Sequence, residues 1–393
     1  MKIVFDARWI GPDPSGIGVY AKELLQRLPL LAPSWKWHIL FQSEELRKSV
    51  LEECGLAKRE NVTSEIIPYG IFSPLGILFW LPAKLASLSC DLFFSANFMI
   101  PYPAFSKSVR KAGGPVCVCT IHDAIPILVK DYAPRSRKSH MLFLFRHCLK
   151  TAVRHSSAVI TVSNTSREDI VRALSLSKAK ASKIKTIYNG ADSVYCPRGP
   201  QEEQHVLHTK VILYVGRMDP YKNVVTLVRA FAELRRKLET PLHLLLIGPD
   251  DPRYPEAKNI ARDFGILDHV TFLHSATDSE LLSAYRDSSI LVSPSSYEGF
   301  GLPIIEAMKC GTPVICTTGG AQPEIAGDAA RIIPPADASA LTEAMRNILT
   351  DNGLHQKLSS AGLLRAREFN WDKTATQTLN LFQDVLKKAG KMR

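Results

Sequence analysis

The sequence predicts an α/β protein of two Rossmann-like domains, each a doubly wound parallel sheet. Three observations carry this. Short apolar runs alternate with stretches of helical apolar spacing along the whole chain, the pattern of strands covered on both faces by crossover helices. Most runs end on Gly, Pro, Ser, Asn or Asp, residues that turn the backbone. At 393 residues, two domains of roughly 190 each are the default for a globular chain.

Composition narrows the class. An apolar share of 46% and a mean hydropathy of −0.02 suit a soluble globular protein. Lys2-Ile3-Val4-Phe5 is expected to open a strand rather than a secretory leader. The longest apolar run, residues 71–88, is interrupted by Pro74, Pro82 and Lys84 and is a poor membrane-spanning helix. Eight cysteines lack any Cys-x-x-Cys pair, so they are expected to be reduced, buried thiols of a cytoplasmic protein. Residues 1–200 hold 27 Lys and Arg against 15 Asp and Glu, and the remainder 22 against 23. The whole basic excess therefore belongs to the first half, which points to an anionic partner there or to a solvated basic surface. No nucleic-acid module is present, so no nucleic-acid partner is expected.

Taken in order, a strand over 2–5 leads through Gly11-Pro12-Asp13-Pro14-Ser15-Gly16-Ile17-Gly18 into a helix over 19–27. A lone Gly-x-Gly is a weak nucleotide signal, and the dinucleotide fingerprint is incomplete. The next strand, 36–41, ends on Gln42-Ser43 without an acid, which disfavours NAD. Further strands fall at 62–67, 91–94, 116–121 and 158–162. Cys117 and Cys119 alternate within one of them, so they share a face without bridging. Ligands of such sheets gather at the carboxyl ends of strands. The strand over 116–121 delivers His122-Asp123 there, and that over 158–162 delivers Ser163-Asn164, a helix cap. His122 is thus a candidate site residue, with Asp123 either orienting it or capping the loop.

Asn189-Gly190 marks a turn, and 196–208 read as a polar linker. The domains are expected at 1–195 and 209–370, with 371–393 a closing segment. The second domain opens with a strand over 210–215, then Gly216-Arg217 and Lys222-Asn223 before a helix. Arg217 and Lys222 flank one strand-to-helix loop, so both reach one diphosphate, Arg as a fork and Lys as a point charge. Strands over 242–247 and 270–273 follow, then a helix opened by Thr277 or Asp278.

The stretch 289–330 organises the rest. A strand over 289–292 ends at Ser293-Pro294-Ser295, followed by Glu298-Gly299-Phe300-Gly301-Leu302 and a helix opened by Pro303. Glu298 and Glu306 flank that helix start, and a strand over 313–316 runs into Gly319-Gly320. Glycines before a helix let a ligand approach the backbone, and the free N–H groups suit a phosphate. Helices over 338–350 and 355–368 lead to a last helix over 372–388.

Glu298-x7-Glu306 enclosing Gly-Phe-Gly-Leu-Pro, with Gly216-Arg217 and Lys222-Asn223, resembles the donor motif of the retaining nucleotide-sugar glycosyltransferases of family 4. Asp6-Ala7-Arg8 with Gly16-Ile17-Gly18 and Tyr20 resembles the mannosyltransferase-type branch. The resemblance implies the GT-B fold, two Rossmann-like domains facing across a cleft, with the last helix crossing back to the first. It implies a nucleotide-sugar donor bound by Gly216, Arg217, Lys222, Glu298, Gly299, Phe300, Gly301, Leu302 and Glu306. The Gly16-Ile17-Gly18 loop would lie on the acceptor side, and His122 would touch the transferred sugar. Glu298 would bond sugar hydroxyls, and Glu306 the ribose. His274-Ser275-Ala276 stands where the family more often has a glycine near the base.

The chain has no Asp-x-Asp and no His, Cys or Asp cluster at metal spacing, so a metal-independent transfer with no cofactor is expected. The leaving group would be met by Arg217, Lys222 and helix N-termini. Glycoside hydrolysis needs carboxylates on opposite sides of the bond, whereas these lie beside one phosphate loop. A nucleotide-sugar epimerase and a non-catalytic binding module are the rivals. GDP-mannose is the favoured donor, with UDP-glucose and UDP-N-acetylglucosamine open. A glycan or lipid-linked glycan is the expected acceptor. Residues 107–185 carry 16 Lys and Arg against four Asp and Glu. With the apolar run 71–88, they suggest peripheral contact with an anionic membrane.

Overall fold

The computed structural model describes residues 1–12, 15–130, 132–136, 141–199 and 209–392. Asp13 and Pro14 of the first glycine loop, and 200–208 of the expected linker, lie outside the described residues. The chain sorts into two compact units, one of 1–124, 143–189 and 371–393, the other of 125–142 and 190–370. Residues 125–142 and 190–195, expected in the first domain, thus fall with the second. Arg135 shows why: its amide donates to the Tyr254 hydroxyl at 3.1 Å and its guanidinium pairs with Glu256 at 2.6 Å.

The first unit holds a parallel sheet in the order β3-β2-β1-β4-β5-β6-β7. Its strands are β1 (Lys2–Asp6), β2 (Lys36–Phe41), β3 (Val62–Ile66), β4 (Leu92–Ser95), β5 (Val116–Thr120), β6 (Ala158–Thr161) and β7 (Ile184–Thr186). β1, β4, β5 and β6 have almost no exposed residue, which is why they read as near-continuous apolar runs. The helix Gly16–Leu31 begins three residues before the expected start, because Ser15 caps it by accepting from the Gly18 amide at 3.0 Å. Gly16, Ile17 and Gly18 are therefore its first turn rather than a loop. The last helix, Trp371–Lys388, belongs to this unit and packs on Gly16–Leu31, where Arg27 and Asp372 pair at 2.7 Å.

The second unit holds a parallel sheet in the order β10-β9-β8-β11-β12-β13. Its strands are β8 (Lys210–Val215), β9 (Leu242–Ile247), β10 (Val270–Leu273), β11 (Ile290–Ser293), β12 (Val314–Thr317) and β13 (Ala330–Ile333). The helix Val224–Lys237 buries Val224, Leu227, Val228 and Phe231 on this sheet, an i, i+3, i+4, i+7 stripe. In both sheets the strand order reverses once, between β1 and β4 and between β8 and β11. Crevices at such reversals, beyond the carboxyl ends, are where open α/β sheets bind ligands.

One expectation about side chains needs correction. Cys196 is exposed, unlike the buried Cys54, Cys90, Cys117, Cys119, Cys310 and Cys316. The run 71–88, as expected, forms no spanning helix. A five-residue π-helical turn, Gly76–Trp80, leads into the helix Leu81–Leu88, and Phe72, Leu75 and Phe79 are 61%, 60% and 67% exposed.

Candidate active site

At the reversal of the second sheet, the ends of β8 and β11 bring the sequence-predicted residues together. β8 runs into Gly216, whose φ of 151° and tight seat suit glycine: an added Cβ would lie 2.9 Å from the Tyr214 hydroxyl. A single 3₁₀ turn, Pro220–Lys222, closes on Asn223 at φ 54° and ψ 30°, the left-handed region that Asn tolerates better than most residues. The Asn223 amide donates to the Pro294 carbonyl at 3.0 Å and to Ser296 Oγ at 2.8 Å. The Ser296 amide returns a bond to the Tyr221 carbonyl at 2.7 Å. The two loops are thereby stitched together.

This places Lys222 on Glu298. Lys222 Nζ donates to Glu298 Oε1 at 2.6 Å, and both side chains are 15% exposed. Ser295 Oγ donates to the same carboxylate oxygen at 2.5 Å. Arg217 lies nearby in sequence but is differently engaged. Its Nε donates to the buried Asp219 at 2.7 Å, while most of the guanidinium is exposed. Burial acts most strongly on this guanidinium and disfavours its charge, yet the hydrogen bond to Asp219 and the neighbouring negative charge together outweigh it and raise the pKa. Arg217, Met218, Asp219 and Pro249–Asp251 line a cavity of about 160 Å³ at the ends of β8 and β9. Both predicted cations thus hold a carboxylate partner, and a diphosphate would have to share or displace it.

The helix Leu302–Cys310 starts beside Glu298. Its N-cap, Gly301, has φ 96°, Pro303, which has no N–H, sits in its first turn, and no side chain caps it; the Ile304 amide donates to the Gly301 carbonyl at 3.0 Å. Phe300 is buried edge-on against Phe369, 5.7 Å between centroids. Its side chain serves packing rather than a ligand. Glu306 is part-buried, and Tyr285 Oη donates to its Oε2 at 2.6 Å. Burial pushes the Glu306 carboxyl up to about 7, with Asp192 and Asp278 adding repulsion against the opposing Tyr285 bond.

The backbone around Gly319 and Gly320 itself requires glycine. A Cβ on Gly319 would sit 2.1 Å from the Ser296 carbonyl oxygen, and one on Gly320 2.3 Å from that of Glu298. Glu298 and Gly320 form a parallel β-bridge, and the Ala321 amide donates to the Glu298 carbonyl at 2.8 Å. These glycines let one backbone press on another and hold the Glu298 loop. Gln322 completes the support: its amide donates to Ser295 O, Thr317 Oγ1 and Gly319 O at 3.0, 2.8 and 3.1 Å. Sequence reasoning missed the supporting roles of Ser295, Asp219, Tyr285 and Gln322, since each partner is far away in sequence or is an ordinary loop residue. Asn223 was visible as the end of the Lys222-Asn223 pair before a helix.

In the first unit, His122 follows β5. Its Nε2 donates to the Ala96 carbonyl, at the end of β4, at 2.9 Å. Burial lowers its pKa to about 4 against the opposing effect of that bond, so the ring is neutral at pH 7. Asp6 and Arg8, part of the pattern shared with mannosyltransferases, form a buried bidentate pair at 2.8 Å for both bonds. Their role here is to close the end of β1. Among the described residues no group of three His, Cys, Asp or Glu is placed to hold a metal ion.

Comparison with known proteins agrees with this geometry. Residues 14–195 match the family described as Glycosyltransferase Family 4, and 198–365 match Glycosyl transferases group 1. An O-antigen chain mannosyltransferase B of Escherichia coli is 28% identical over 98% of this chain and 100% of its own length. The serotype-specific mannosyltransferase WbdA of the same organism is 25% identical over 77% of this chain, which spans 38% of that protein. An MMP α-(1→4)-mannosyltransferase of Mycolicibacterium hassiacum is 31% identical over 60% of this chain, which spans 56% of that relative. Among solved structures, Anabaena HepE with UDP and glucose aligns at a TM-score of 0.75 with 20% identity, covering 98% of this chain and all of its own. A sucrose-phosphate synthase of Thermosynechococcus elongatus aligns at 0.72 with 22% identity, covering 98% and 99%. With family matches over both halves, and two parallel sheets aligning along nearly their whole length with GT-B enzymes, the chain belongs to glycosyltransferase family 4, in its mannosyltransferase-like branch.

Proposed function

We propose that this glycosyltransferase moves mannose from GDP-mannose to a glycan or lipid-linked glycan, with retention of configuration and without a divalent metal. The observation that carries the reading is the Lys222–Glu298 pair at 2.6 Å, set beside an uncapped helix N-terminus. Lys222, exposed Arg217 and the positive dipole end of the helix Leu302–Cys310 supply fixed positive charge for a departing diphosphate. Glu298 accepts from sugar hydroxyls, and Glu306 meets the ribose. Mannose is favoured because relatives matched over most of this chain are named mannosyltransferases. Retention proceeds by attack on the same face, with the leaving phosphate taking the acceptor proton, since among the described residues no side chain stands out as a covalent nucleophile. Metal independence rests on the absence of Asp-x-Asp from the sequence. Losing one cation of such a site costs on the order of 3 kcal/mol of transition-state stabilisation.

The donor is tested by thermal shift with GDP, UDP and ADP, since a ligand of the folded state raises its stability. GDP is expected to give the largest shift, and acceptor-dependent release of GDP from GDP-mannose should survive excess chelator. A shift confined to UDP would overturn the donor. Loss of turnover with EDTA, restored by manganese, would overturn the metal-free chemistry.

The acceptor reading extends to a membrane. Phe72, Leu75 and Phe79, and Phe143 at 86% exposure, follow strand carboxyl ends and precede or begin helices. Arg110, Arg154, Lys180 and Lys183 form a second feature: Arg110 and Lys180 repel Lys183, while Arg110, Arg154 and Lys183 add to the burial that lowers the pKa of His155, and Arg154 and Lys183 stand just before β6 and β7. Strand polarity therefore separates the apolar set from this cation cluster, which the sequence had pooled. We assign insertion to the apolar side chains and long-range attraction to the cations.

A further inference from the structure

His122 is held from two sides within the first unit. A carbonyl only accepts, so the 2.9 Å contact between Nε2 and the Ala96 oxygen requires the proton on Nε2. The neutral ring then presents Nδ1 as a lone-pair acceptor. Among the described residues Nδ1 has no hydrogen-bond partner. Nor is it one of the buried unsatisfied atoms among the described residues, which are Trp9 Nε1, Thr186 Oγ1 and Asn189 Oδ1. The edge that carries Nδ1 therefore reaches solvent.

The second hold is Tyr20. Its ring stands edge-on to the imidazole, 5.0 Å between centroids at 87°. Tyr20 is fully buried, and its hydroxyl lies 3.0 Å from Thr120 Oγ1, two residues before His122 on the same strand. On its other side lies Trp371, first residue of the returning helix, at 6.2 Å. The strand alternation explains the meeting. Cys117 and Cys119 point to Ser156 on one face of β5, so Thr120 points to the other, where Gly16–Leu31 packs. Ser15 and the first-turn glycines set the height at which that helix delivers Tyr20.

We infer that Tyr20 is a positioning residue for His122: clamped by Trp371 and tied to Thr120, it fixes the imidazole plane so that Ala96 selects one tautomer and Nδ1 accepts from a sugar hydroxyl. This rests on the reading of His122 as a sugar contact. A ring free to rotate would lose the Ala96 bond and present N–H and lone pair interchangeably. An aromatic edge contact is enough to hold one orientation several-fold over its alternatives.

The test uses the full chain with Tyr20→Phe, Tyr20→Leu and His122→Asn. Nitrogen NMR of the imidazole reports the tautomer, and steady-state kinetics separate kcat from KM. Wild type and Tyr20→Phe should show His122 as a single Nε2–H tautomer and turn over within about twofold of each other. Tyr20→Leu should show mixed tautomers and a kcat lower by about tenfold, with donor KM little changed. If Leu prevents folding, Tyr20→Met, closer in volume, takes its place. A single tautomer with undiminished kcat in the folded variant overturns the inference. So does a kcat loss that merely follows the folded fraction. Undiminished kcat in His122→Asn overturns the sugar-contact reading instead, while the NMR result still decides whether Tyr20 positions the ring.

Discussion

At the residue scale, the ion pairs distinguish two cations that look equivalent in sequence. Lys222 is enclosed with Glu298, whereas Arg217 meets Asp219 from an exposed position. Lys222→Ala should weaken nucleotide-diphosphate binding and also lower stability by about 2 kcal/mol, because it strands a largely buried carboxylate. Arg217→Ala should weaken binding with a stability change of about 0.5 kcal/mol or less, as for an exposed pair. Calorimetric titration and chemical denaturation check both; near-normal binding in both variants would remove the phosphate assignment. Glu306 offers a pH test. Its folded pKa, about 7, lies above the ordinary 4.5, so the folded state holds the extra proton between those values. Stability should then fall as pH rises through that window, by about 3 kcal/mol at most. Glu306→Gln should flatten the difference between pH 5 and pH 8, and an unchanged slope would rule out the raised carboxyl.

At the element scale, the loop that carries Glu298 depends on backbone-to-backbone contact. Gly319→Ala forces a Cβ to 2.1 Å from the Ser296 carbonyl oxygen, which only movement of the main chain relieves. A cost of about 2 kcal/mol is expected, together with weaker nucleotide binding as Glu298 shifts. Gly353→Ala is the control, since its Cβ meets only the end of the Asp351 side chain at 3.2 Å. Equal melting temperatures for the two variants would refute the seat. The sequence marked Gly319-Gly320 as special and pointed to a ligand. A glycine pair announces that something comes close, and the paired backbone is one such thing.

At the scale of the whole molecule, the question is where the enzyme meets its acceptor. No described helix is long and apolar enough to cross a membrane, while Phe72, Leu75 and Phe79 stand in solvent. Flotation on anionic liposomes is expected, weakening with salt because exposed charges are screened over roughly 8 Å at physiological ionic strength. Replacing the three side chains with Ser should abolish flotation at any salt. Reversing Arg110, Arg154 and Lys180 should lower it at low salt only. Failure of the native chain to float at low salt would leave a soluble acceptor as the reading.

Much of the architecture was legible in the residues alone. Strands buried on both faces must be apolar throughout, and turn residues must stand at their ends, so the alternation in this chain determined two parallel sheets. The motif residues Glu298, Glu306, Arg217 and Lys222 were also visible, because Gly, Pro and charged residues at strand ends have few other uses. Partnership was not visible. Lys222 and Glu298 lie 76 positions apart, and Tyr20 and Thr120 a hundred. Strand order and the facing of helices bring them together, and neither is written in local spacing. The same holds for the run 71–88 and the cations around Lys183: the sequence pooled them, and the direction of the strands set them apart.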